Sequence, residues 1–218
     1  MGNMAHSQRL RMMDPHIYDL KNWHFGVTIP MNYGKMKLNR SADFIAQDSI
    51  QNIILNGVPG IGLGGIIDRR LGEYFNLRAL PALNFHNRQM VYVFKDREDI
   101  VDVESVTLDL PINLKYKSAL HKKYVRFYTV AGARVGYDFQ SRQDEERGPF
   151  KKLVALKTFS ASYEVGFGFD FYLPFFKFSP EIKMVNTLYN MHSPDEYIYS
   201  KGIGSLYPRM FQISFHFE

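Results

Sequence analysis

The chain has 218 residues, enough for one domain with a sizeable core or for a small barrel with generous loops. Its 27 basic and 22 acidic residues leave a net charge of +5 that is spread along the chain, which argues against nucleic acid as a partner. Cysteine is absent, excluding disulfides and thiolate metal sites, and no stretch approaches the roughly 20 apolar residues of a transmembrane helix.

Residues 1–21 mix polar and charged groups without an apolar core. An exported chain of this kind is expected to have lost a signal peptide, or to begin downstream of one. From His24 onward the chain alternates, and eight strands are predicted. In the first, Phe25, Val27, Ile29, Met31 and Tyr33 oppose His24, Gly26, Thr28, Pro30 and Asn32. The second, about residues 60–69, sets Ile61, Leu63 and Ile67 against Gly62, Gly64 and Asp68. The third, about residues 75–86, sets Leu77, Ala79, Leu83 and Phe85 against Asn76, Arg78, Asn84 and His86. In the fourth, Val106 to Tyr116 on even positions oppose Thr107, Asp109, Asn113 and Lys115. In the fifth, Val125, Phe127, Ala131, Ala133, Val135 and Tyr137 oppose Arg126, Gly132, Arg134 and Asp138.

The sixth and seventh strands form the clearest hairpin. Tyr163, Val165, Phe167, Phe169 and Phe171 share one face, and Ser162, Glu164, Gly166, Gly168 and Asp170 the other. After the tight link at Tyr172-Leu173-Pro174-Phe175, the residues Phe176, Phe178, Pro180, Ile182 and Met184 oppose Lys177, Ser179, Glu181 and Lys183. The eighth strand sets Phe211, Ile213, Phe215 and Phe217 against Gln212, Ser214, His216 and Glu218. Pro30 and Pro180 fall inside strands, where each removes a ladder hydrogen bond or marks a bulge.

Connections alternate in length. Residues 70–74, 118–124 and 172–175 are short links, whereas 34–59, 87–105, 140–158 and 190–207 are expected to be long loops. Phe44, Ile45 and the stretch 50–55 place apolar residues inside one such loop, while 142–147 is a mixed-charge loop tip. One tight end and one loopy end is the asymmetry of an outer-membrane barrel, with short periplasmic turns and long extracellular loops.

The expected fold is therefore all-β: an eight-stranded antiparallel up-and-down transmembrane β-barrel in the outer membrane, both termini in the periplasm. An N-terminal periplasmic segment covers residues 1–23 and the barrel 24–218. Tyr163, Val165, Phe167, Phe169, Phe171, Phe176, Phe178, Ile182, Phe211, Ile213, Phe215 and Phe217 are expected to face lipid. Asp68, Arg78, Asp109, Lys115, Arg126, Arg134, Asp138, Glu164, Asp170, Lys177, Glu181 and Lys183 are expected to face the lumen, as a balanced charge network of six acids and six bases. An eight-stranded bore is filled by side chains, so a salt-bridged plug is favoured over an ion path. A soluble lipocalin-like barrel requires the phenylalanines to point inward, where they would overfill a small interior.

No catalytic pattern emerges. The run Gly60-Ile61-Gly62-Leu63-Gly64-Gly65 lacks the following helix and Lys-Ser/Thr of a phosphate loop. His24, His86 and His216 could share the lumen wall, but no metal-ligand or nucleophile spacing is present. No catalytic residue, cofactor or metal is expected.

The stretches HFGVTIPMN (24–32), 59–85, VESVTLDLPINLKYKS (103–118), YEVGFGFDFYLPFFKFSPEIK (163–183) and the terminal ISFHFE resemble the PorT family of outer-membrane barrels. Together they span most of 24–218 apart from the long loops, and YLPFFKFSPE is the most specific piece. The resemblance implies a Gram-negative outer-membrane protein required for export by the type IX secretion system. It implies a non-enzymatic part in assembly or scaffolding, with outer-membrane lipid and other secretion-system proteins as partners. A barrel with an adhesin, envelope-stabilising or lipid-modifying role is the alternative.

Overall fold

The computed structural model describes residues 13–40, 50–57, 59–94, 98–119, 124–139, 158–188 and 203–218. A short helix, α1 (Pro15–Asp19), precedes ten strand segments. These are β1 (Trp23–Arg40), β2 (Ile50–Gly57), β3 (Pro59–Arg70), β4 (Phe75–Ala79), β5 (Ala82–Phe94), β6 (Glu98–Lys117), β7 (Val125–Asp138), β8 (Phe159–Tyr172), β9 (Lys177–Thr187) and β10 (Ile203–Phe217). β2 and β3 follow one another along one barrel strand, as do β4 and β5, so the wall has eight strands. Neighbours pair antiparallel all the way round, and β1 closes the ring by pairing with both β10 and β3. Closure leaves no edge through the hydrocarbon, which lipid demands of any sheet that spans it.

Alternation is read out by the wall. Phe25, Ile61, Leu63, Leu83, Phe85, Ile112, Phe167 and Ile213 are exposed on the outside, while Asp68, Arg78, Lys115, Glu164, Asp170 and Glu181 are buried inside. Aromatic rings stack along the outer surface, as in Phe178 with Phe215 at 6.1 Å and Phe171 with Phe178 at 6.4 Å. Trp23, Tyr74, Phe75 and Tyr116 cluster on the outside at the end that carries the short turns. Interfacial aromatic girdles occupy such positions in membrane barrels.

The prolines mark gaps in the ladder. β1 pairs with β3 from Trp23↔Arg69 to Thr28↔Gly64, is interrupted at Pro30, and resumes at Met31↔Ile61. β8 and β9 pair at Gly168↔Glu181 and again at Phe171↔Phe178, with the gap at Pro180. On the other side of each strand, toward β10, the register is unbroken: Pro30 faces Ser214 and Pro180 faces Phe215. Each proline thus points its missing donor away from β10. A third, Pro111 in β6, lies where β4 gives way to β5, and its carbonyl accepts from Leu80 N at 3.1 Å.

The long connections differ from expectation. β1 continues to Arg40 and β2 begins at Ile50, so much of 34–59 is strand rather than loop. β5 runs to Phe94 and β6 starts at Glu98, which turns most of 87–105 into two paired strands. β10 starts at Ile203, inside the predicted loop 190–207. Residues 50–55, expected as an apolar part of the loop, are strand and pair with β5 apart from an irregularity at Gln51. Phe44, Ile45 and the charged tip 142–147 lie outside the described residues. A bilayer-crossing strand needs about 9–11 residues. The 18 residues of β1 and 20 of β6 therefore extend well past it at the end opposite the short turns.

Candidate functional site

The lumen is packed in layers of charge. Farthest from the short turns, Glu164 receives Arg134 (2.6 Å), Lys183 (2.9 Å) and the Asn113 amide (2.5 Å). Arg134 also reaches Asp109 at 3.5 Å and donates to Gln212, and Asp109 accepts from Asn84 at 2.8 Å. One layer down, Glu181 lies 3.3 Å from Lys183, 3.4 Å from His216 and 3.6 Å from Arg78. Below it Arg78 holds Asp68 at 3.0 Å and Glu218 at 2.8 Å, while Lys177 takes Glu218 at 2.7 Å and Lys115 takes Asp170 at 2.8 Å. Asn76 and Ser179 donate to Asp68 and Asp170. Unpaired, any of these buried charges would cost several kcal/mol; the spacing of opposite charges along and across the strands offsets part of that cost.

Of the twelve charges singled out by alternation, eleven lie buried on the inner wall, and Asp138 is half-buried near the rim, accepting from Ser105 at 2.6 Å. Their apolar counterparts on β8, β9 and β10, together with Phe176 in the turn before β9, lie on the outside, fully or partly exposed. Tyr128 was not anticipated. It lies on the inner wall of β7, fully buried, with the Lys115 ammonium 3.8 Å from its ring centroid and the Arg78 guanidinium at 5.7 Å. Cations over an aromatic face gain from its quadrupole, more so when dry. Tyr128 faces Gly168 directly across β7 and β8, and a Cβ there would come within 2.6 Å of its ring. Glycine at 168 is the space the ring occupies. Between Thr28, Asn84, Asp109, Arg134 and Gln212 remains a cavity of 10 Å³, room for about one water.

The histidines are not assembled. His24 hydrogen-bonds the Tyr18 carbonyl at 2.9 Å, whereas His216 faces Glu181 and stands opposite Thr28 and Ser179. His86 is in register with Ser105 on β6, away from both. Among the described residues no group of His, Asp and Glu is arranged to hold a metal ion.

The short-turn end is closed by the chain's own N-terminal segment. The first turn of α1 is closed by the backbone bond from Tyr18 N to Asp14 O at 3.0 Å, and Asn22 O accepts from Arg70 N at 2.9 Å. Tyr18 turns into the bore, buried against His24 (stacked, 4.5 Å) and edge-on to Tyr172 (5.9 Å), with the Lys177 ammonium 4.9 Å from its ring. Burial pushes its phenol above the ordinary tyrosine range, so it stays neutral. Asp19 anchors the plug: it pairs with Arg126, lies 3.6 Å from Lys117, and accepts from the Tyr172 hydroxyl at 3.2 Å. Neither Tyr18 nor Asp19 carries a signal in the alternation, and Lys117 lies one inner position beyond the stretch where the fourth strand was read.

Asp19→Asn is expected to loosen this plug, leaving two buried cations without their carboxylate. Charge-assisted hydrogen bonds contribute about 1.5–3 kcal/mol. Amide exchange over residues 14–22 should quicken about tenfold or more, and trypsin should gain access at the exposed Lys21. Unchanged exchange would mean that Tyr18 alone holds the segment.

A closed eight-stranded barrel with an apolar outer belt, an aromatic rim and a paired charged interior defines an outer-membrane barrel protein. Residues 5–193 match the family described as outer membrane protein beta-barrel domain, and the chain belongs to it. Its place is accordingly the outer membrane. Similar solved structures include OprG from Pseudomonas aeruginosa, at 12% identity and a TM-score of 0.52, covering 90% of this chain and 93% of that one. The attachment invasion locus protein Ail of Yersinia pestis matches at 10% identity and a TM-score of 0.36, covering 91% and 99%. The likeness to OprG is one of fold. No curated protein matches the chain.

Proposed function

We propose that this barrel is a non-enzymatic component of a type IX protein-secretion machinery, acting in its assembly or scaffolding rather than as a conduit. The observation that carries the reading is the filled bore: paired charges such as Arg78–Glu218 and Lys115–Asp170 occupy its section, and Tyr18 stops its periplasmic mouth. Work is thereby left to the outer wall, the strands that extend past the bilayer, and the periplasmic turns. The resemblance of 24–32, 59–85, 103–118 and 163–183 to the PorT family supplies the secretion system. Other secretion-system proteins would dock on the loops or turns.

The test is a chromosomal deletion, followed through cargo location. Exported enzymes should accumulate in the periplasm and vanish from the surface and medium, with rescue by the intact gene. Leakage of a periplasmic marker serves as the control for general envelope damage. Normal cargo release from the deletion strain would defeat the reading.

A further inference from the structure

Past the apolar belt, the outer wall of β1 and β10 turns basic. Phe25, Val27, Met31 and Tyr33 on β1, with Ile213 and Phe211 on β10, are exposed on the outside. The next positions of the same phase are Lys35 and Lys37 on β1 and Arg209 on β10. Register sets Tyr33 opposite Phe211 and Lys35 opposite Arg209, and Arg209 is exposed. Cross-strand partners share a face, so the two cationic residues are neighbours on the outer one. We infer that Lys35 and Arg209 form a binding site for a phosphate group of lipopolysaccharide in the outer leaflet.

Depth selects the lipid. A barrel strand rises about 3.3 Å per residue and tilts by about 40°, so the ten steps from Trp23 to Tyr33 span about 25 Å of membrane, the height of the apolar band. Trp23 belongs to the aromatic cluster at the short-turn end, which puts Tyr33 at the opposite interface. Lys35 and its partner Arg209, one outer position farther, stand at headgroup level. Around the outer wall of an outer-membrane barrel, that level is occupied by lipopolysaccharide, whose lipid A carries phosphates.

Charge selects the phosphate. Like charges directly opposite one another on two strands repel. The register neighbours of this pair are neutral: Asn186 on β9 faces Arg209, Tyr207 faces Lys37, and Tyr33 and Phe211 lie one outer position below. An anion between the two cations turns repulsion into attraction and accepts charge-assisted hydrogen bonds from both, the planar guanidinium being suited to two phosphate oxygens at once. The basic patch is also local. On β5 and β6 the outer positions that follow Phe85 and Val106 are Asn87 and Glu104, in register with each other. Lipopolysaccharide is therefore held on the β10–β1 side of the barrel. The inference rests on the outer-membrane location and is independent of the secretion reading.

The test titrates the full chain in detergent micelles with fluorescent lipopolysaccharide and with the same lipid after its phosphates are removed. The phosphorylated form should bind about tenfold more tightly, since each basic residue at an anionic membrane surface strengthens attachment about fivefold. Lys35→Gln/Arg209→Gln should abolish that preference and leave binding of the dephosphorylated lipid unchanged. Lys21→Gln/Arg69→Gln removes the same charge at the periplasmic end, where Lys21 and Arg69 are exposed, and should keep the preference. Heat-dependent gel mobility verifies that each variant is folded, and the single substitutions Lys35→Gln and Arg209→Gln, each expected to reduce the preference, stand in if the double variant is not. Equal affinity for the two forms, or a preference that survives Lys35→Gln/Arg209→Gln, overturns the proposal and leaves the pair to a protein neighbour. Competition by phosphatidylglycerol as strong as by lipopolysaccharide overturns it in favour of a general anionic-lipid site.

Discussion

Arg78→Met should destabilise the folded barrel by about 3–5 kcal/mol, the cost of breaking a buried ion pair by deleting one partner. Arg78 is fully buried and reaches three carboxylates, Asp68 at 3.0 Å, Glu218 at 2.8 Å and Glu181 at 3.6 Å. Asp68 keeps its amide from Asn76, and Glu218 keeps Lys177, so the loss is local rather than total. Methionine fills much of the volume without supplying charge. Urea unfolding of the refolded protein in lipid vesicles measures the effect as a lowered midpoint. Adding Asp68→Asn to Arg78→Met should restore part of the stability, because the stranded carboxylate is gone. A single mutant with an unchanged midpoint would mean that water screens these charges, and that the lumen is wet at this level. That outcome would also undercut scaffolding in favour of conduction.

The same residues show what a sequence can reveal. Phe167 and Glu164 belong to opposite phases of β8, and lipid on one side with a dry interior on the other forces each position to one polarity. That double constraint makes every lumen carboxylate of β8 and β9 legible. It ends where the strands leave the bilayer. In IQNIILNG, the eight residues of β2, apolar and polar positions no longer alternate, and the register shifts by one residue between β2 and β3 against β5. Strand is there without its pattern. Tyr128 was obscured for a different reason: an aromatic on the inner phase looks like a misplaced outer residue until Gly168 and Lys115 are seen beside it. The plug was hidden by distance. α1 is too short to show a helical period, and Asp19 meets Arg126 and Tyr172 across 107 and 153 residues of chain. No local signal joins residues so far apart.

Phe167→Arg should cost about 2–4 kcal/mol in a bilayer, the penalty for a cation on the lipid face at mid-depth. Phe167 is close to the middle of β8, points outward at 46% exposure, and contacts Phe127 at 6.3 Å. Phe159→Arg provides the depth control. It lies at the outer end of the same strand and same face, 54% exposed, where the charge penalty falls to about 0–1 kcal/mol. Solvent decides the contrast, since both sites are about half exposed in the isolated barrel. In water the two substitutions would differ little, as surface changes commonly remain within about 0.5 kcal/mol. Measured in lipid vesicles, a larger loss at 167 than at 159 fixes where the hydrocarbon crosses β8. It also bounds the belt from which any membrane-embedded partner must approach. Equal small losses would place the bilayer midplane elsewhere on the strand. Equal large losses would mean that Phe159 too is covered by hydrocarbon, so that less of β8 projects beyond the membrane.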